Sequence, residues 1–102
     1  PVSLAPIPVA DGIEDQASMA PSVLSKIEAM IERLRYLVAI ELVASAQAVD
    51  LRGIAGELGQ GTLRAYQQVR ELVPRLEEDR AQGPDFQRIS DFITETAART
   101  AP

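Results

Sequence analysis

An all-α fold is predicted by three features of the sequence. Apolar residues recur at three- and four-residue steps in three separate segments, proline and glycine fall between those segments, and no stretch alternates apolar and polar residues as a half-buried strand does. With 102 residues, 46% of them hydrophobic and 25% charged, the chain reads as one globular unit of modest core.

The first 20 residues, PVSLAPIPVADGIEDQASMA, carry Pro1, Pro6, Pro8 and Gly12 among scattered apolar side chains with no sustained helical period, and are expected to form an extended arm. Helical spacing begins at Pro21, where Val23, Leu24, Ile27, Met30, Ile31, Leu34, Leu37 and Val38 predict one long helix over about 21–52. Ser18 or Ala20 followed by Pro21 supplies the start, and Gly53 and Gly56 the stop. The halves of this helix differ. Lys26, Glu28, Glu32, Arg33 and Arg35 interrupt the first half, whereas YLVAIELVASAQAV, residues 36–49, carries a single charge, Glu41. A helix apolar all round is buried all round. Two further short helices cannot surround it, so an oligomer or a larger fold is expected. A membrane span needs roughly 20 consecutive apolar residues, and Glu41, Ser45, Gln47 and Asp50 cut the run short. Burial of Glu41 requires a partner, and an arginine from another helix is the expected one.

A second helix over about 62–73 follows from Leu63, Tyr66, Val69, Leu72 and Val73, capped by Gly61 or Thr62 and ended by Pro74. A third, over about 84–98, opens at Pro84 and carries Phe86, Ile89, Phe92 and Ile93 on one face. The domain organisation expected is thus an arm, 1–20, and a helical region, 21–102.

Composition excludes several function classes. Ten Lys and Arg against 15 Asp and Glu give a formal charge of −5, which offers no basic footprint for nucleic acid and disfavours an anionic membrane surface. Without cysteine there is neither a disulfide framework nor thiolate chemistry. Without histidine the commonest general base and zinc ligand are missing, and no metal site is expected. The chain opens at Pro1 with no initiator methionine and no signal-like segment, so it is expected to be part of a longer polypeptide.

The candidate chemistry is correspondingly sparse. GIAGELGQGT is rich in glycine, but a dinucleotide fingerprint follows a strand and a P-loop ends in Gly-Lys-Ser/Thr; here the glycines follow a helix and no lysine is present, so a turn is expected. The run Glu77, Glu78, Asp79, Arg80 reads as a solvated turn with weak surface pairs. Tyr66 belongs to an apolar stripe, with its hydroxyl expected at the core's rim. Glu14 and Asp15 remain. As helix N-terminal charges they would gain about 0.3–1 kcal/mol from the macrodipole, yet they precede the periodic pattern by several residues. Carboxylates held on a loop beside a buried scaffold are also a common way to place a binding or catalytic group. Physics alone leaves both readings open.

At these residues the chain resembles the aromatic amino acid ammonia-lyases, most closely the histidine ammonia-lyases. The resemblance is carried by GIEDQASMAP, then LRYLVAIELVASAQAVDLR, then LGQGTLRAYQQVRELVPRLEEDR and GPD. The family's loop typically reads Gln-Glu-Asp-His-Val-Ser-Met after a stretch containing Ser-Ile-Pro; Ile7, Pro8, Glu14, Asp15, Ser18 and Met19 match it without a gap. Ile13, Gln16 and Gly12 depart from the usual Gln, His and Asn.

The resemblance implies the C-terminal part of a cytoplasmic enzyme that removes ammonia from an aromatic L-amino acid, histidine or tyrosine or phenylalanine. It implies a homotetramer with the long helix in its core, and a methylidene-imidazolone (MIO) electrophile formed from an internal Ala-Ser-Gly. That triplet does not occur in these 102 residues, so the cofactor, and the rest of the parent polypeptide, would lie outside this chain and the chain alone would be inactive. Glu14 matches the glutamate that lines the family's substrate pocket, with a catalytic and substrate-binding role, while Asp15 and Ser18 would support the loop. A related aminomutase, using the same cofactor, and a non-catalytic helical oligomerisation module are the alternatives.

Overall fold

The computed structural model describes residues 20–100, and all of these lie in helices, turns or short connections, with no strand among them. The all-α expectation is met. Among the described residues there are three helices, α1 (Ala20–Arg52), α2 (Gln60–Leu72) and α3 (Gly83–Thr100), with a 3-10 turn, Ala55–Glu57, between the first two. The chain divides into two compact units, Pro1–Arg33 and Leu34–Pro102.

In the first unit the described residues are the opening turns of α1. Leu24, Ile27, Met30 and Ile31 are all exposed there, at helical spacing, alongside the exposed Lys26, Glu28 and Glu32. No packing within this unit covers them among the described residues.

The second unit holds the core. Its buried residues are Ala39, Val43 and Ala46 from α1, Val69 from α2, Val73 just after α2, and Ile89 from α3. Leu42, Tyr66, Leu72, Phe86 and Ile93 pack around them. Ala39, Val43 and Ala46 follow a four-then-three step, so one stripe of α1 faces its neighbours. Two of its three residues are alanines, whose small side chains let a neighbouring helix approach closely. Tyr36 meets Phe86 edge to face at 6.3 Å, extending the contact between α1 and α3. On the other side of α1, Leu34 and Leu37 stay exposed at 60% and 57%, so the chain itself buries one face of an apolar helix and leaves the opposite one open.

Helix ends explain the connections. α1 ends where Gly53 takes φ of +68°, with its N–H donating to the Asp50 carbonyl at 3.2 Å and that of Ile54 to Val49 at 3.3 Å. This is the paired 5→2 and 6→1 pattern that closes a helix through a left-handed glycine. α2 begins two residues before the expected position. Its first carbonyl acceptor is Gly59, which receives the Leu63 N–H at 2.8 Å, and the Thr62 hydroxyl donates to the same carbonyl at 2.9 Å instead of capping a free N–H. Val73 leaves α2 in an extended conformation, as a residue before proline must. At α3 the Gln82 carbonyl accepts from Asp85 and Phe86, and Pro84 lies in the first turn, where its missing N–H costs nothing.

Candidate functional site

Glu14, Asp15 and Ser18, the site residues expected from the sequence, lie outside the described residues. Within them, the polar groups that converge most closely come from the end of α1 and the middle of α2. Gln47 and Asp50 are three apart on α1, and Tyr66 and Arg70 four apart on α2, so each pair shares one helix face. The Tyr66 hydroxyl donates to Asp50 Oδ1. Arg70 Nη2 lies 2.7 Å from Asp50 Oδ2, with both side chains largely buried at 15% and 10% exposure, and the guanidinium also sits over the Tyr66 ring at 5.9 Å. Arg70 Nη1 donates to the Val73 carbonyl at 3.1 Å, holding the α2 exit.

Gln47 extends the cluster to the segment after α2. Its amide nitrogen donates to the Leu76 carbonyl at 2.9 Å, and its carbonyl oxygen accepts the Leu76 N–H at 3.0 Å, so one side chain pairs with one backbone residue as a strand neighbour would. Arg70 Nη2 adds a longer bond to the same oxygen at 3.4 Å. These bonds give a loop backbone partners that no helix or sheet supplies.

The bond to the Asp50 carboxylate holds the Tyr66 phenol above its usual pKa; burial and the negative charge of Asp50 act in the same direction, while Arg70 opposes them. Tyr66 is therefore a locked neutral donor at neutral pH and cannot serve as a base there. Asp50 and Arg70 neutralise each other. The arrangement ties α1 to α2 and to the segment after α2.

Beside the cluster lies a half-open pocket of about 220 Å³ whose walls include Leu42, Val49, Leu58, Ala65 and Val69, with Tyr66 contributing to its lining. It is a gap between apolar faces. Among the described residues no group of carboxylates could hold a metal ion, and no helix is long and apolar enough to cross a membrane.

The structure adds to three sequence expectations here. Glu41 is exposed, not buried against an arginine, because it projects from the side of α1 that this chain does not cover. Tyr66 is half-buried at the core's edge as expected, but its hydroxyl has a carboxylate partner 16 residues away that helical spacing cannot reveal. Arg80 reaches beyond the acidic run beside it and pairs with Asp85 at 2.6 Å; Asp85 is buried and also meets Arg88 at 3.4 Å. Glu77, Glu78 and Asp79 are exposed as expected.

Comparison with known proteins decides the family. The model of the aromatic amino acid lyase family matches residues 1–71, which include Glu14, α1 and most of α2. The chain belongs to the aromatic amino acid lyase family. Its relatives include a histidine ammonia-lyase from Anaeromyxobacter sp. (strain K), 38% identical over 95 residues, covering 93% of this chain and 18% of that protein. The histidine ammonia-lyase of Natranaerobius thermophilus is 37% identical over the same share of each chain. That of Macrococcus caseolyticus is 35% identical over 97 residues, 95% of this chain and 19% of its own length. The chain thus spans less than a fifth of these curated relatives. No solved structure matches it.

The family's electrophile can be tested against these residues. Its formation requires Ala-Ser-Gly, because the glycine nitrogen closes the ring. The nearest triplet here, Ala44, Ser45 and Ala46, lies within α1, lacks the glycine, and spends Ala46 on the core. These residues do not fit the group.

Proposed function

We propose that this chain is the C-terminal portion of an ammonia-lyase that eliminates ammonia from an aromatic L-amino acid and yields the trans-α,β-unsaturated acid. In this reading the chain contributes Glu14 to the substrate pocket and α1 to the core of a homotetramer. The MIO group forms in another part of the parent polypeptide, and the enzyme works in the cytoplasm. The observation that carries the reading is the family match over residues 1–71, together with relatives named histidine ammonia-lyases at 35–38% identity.

Glu14 suits the role chemically. A carboxylate can hold an ammonium or an imidazole N–H through a charge-assisted hydrogen bond and can take part in proton transfer. Asp15 and Ser18 support its loop. The polar cluster of Gln47, Asp50, Tyr66 and Arg70 ties α1 to α2 and to the segment after α2.

The test is Glu14→Gln in the full-length parent, which keeps the side chain's shape and removes its charge. A charge-assisted bond is worth roughly 1.5–3 kcal/mol, so turnover should fall by about one to two decades while Tm stays within a degree or two of the unaltered enzyme. Asp15→Asn is the control: a loop support costs stability at least as much as rate. Unchanged catalytic efficiency in Glu14→Gln, or a loss that tracks unfolding, defeats the assignment. Reading the parent gene for Ala-Ser-Gly separates an MIO enzyme from a non-catalytic helical module.

A further inference from the structure

We draw no further inference here: the strongest candidate, the exposed apolar face of α1 that carries Leu34, Leu37 and Val38, is an unpartnered helix face, and nothing in the structure shows what covers it.

Discussion

Asp50 is held from one helix by two residues a turn apart, and the two do different work. Arg70 supplies charge from a largely buried position and also ties down Val73 and Gln47, whereas Tyr66 supplies a neutral hydrogen bond. Arg70→Met keeps most of the aliphatic stem but leaves a shielded carboxylate with only the Tyr66 hydroxyl, so the loss should approach the roughly 3 kcal/mol of a broken buried pair. Urea unfolding of this chain should show that loss as a lower midpoint. Removing both charges, Asp50→Asn with Arg70→Met, should recover part of it, and a simple sum of the two single losses would refute the coupling. Tyr66 contributes a pH dependence instead. Because its phenol is held above the usual value, its stabilising share is complete below the unfolded-chain pKa, about 10, and is lost as pH rises through the higher folded value. Stability curves for the chain and for Tyr66→Phe should therefore run apart at neutral pH and converge in the alkaline range. Curves that stay parallel through that range would contradict the pairing.

At the level of helices, the sequence is most informative where structure is local. The end of α1 could be placed at Gly53 because only a residue without a Cβ adopts a left-handed conformation at no cost, and the exit from α2 followed from Pro74. The start of α2 was harder to read, since a threonine near a helix end looks like a cap whether its hydroxyl accepts from an N–H or donates to a carbonyl, as Thr62 does. Partner choice was not legible at all. Asp50 with Tyr66, Gln47 with Leu76 and Arg80 with Asp85 are set by how helices and their connections meet, and spacing within one segment carries no record of that. Glu41 is exposed in this chain alone, because apolar neighbours along the sequence do not ensure that the chain itself covers every face. Of the site, Glu14, Asp15 and Ser18 rest on the family resemblance. Physical chemistry alone leaves Glu14 and Asp15 between two roles. The glycines between α1 and α2 allow a sharp local test. Gly53→Ala forces an alanine into positive φ and should cost about 1 kcal/mol, whereas Gly56→Ala, where an added Cβ meets open space, should lose little or nothing. Thermal melts of the two variants should rank them in that order; equal effects would remove the special status of Gly53.

Across the whole molecule, apolar surface is distributed in a way that a small monomer handles poorly. Leu24, Ile27, Met30, Ile31, Leu34 and Leu37 are each more than two-fifths exposed, although a chain of 102 residues has little core to spare. Large aliphatic side chains exposed at helical spacing, as in each unit here, ordinarily mark a surface that another chain or segment covers. Under the proposed function that covering comes from the rest of the parent enzyme and its sister subunits. Two consequences follow for the isolated chain. It should have no ammonia-lyase activity, because no electrophile can form from its residues; release of cinnamate, coumarate or urocanate by rigorously purified chain would overturn that. It should also associate at micromolar concentration, since burying these side chains against another copy is the available substitute for the missing parent. Sedimentation velocity over a hundredfold concentration range should show a rising weight-average mass, and helicity should rise with it if association stabilises α1. Replacing Leu34 and Leu37 together by lysine and glutamate leaves every buried core residue intact, so it should shift the chain toward monomer without unfolding the second unit. A compact monomer at all concentrations, unfolding cooperatively and indifferent to that double substitution, would falsify this account of the exposed face.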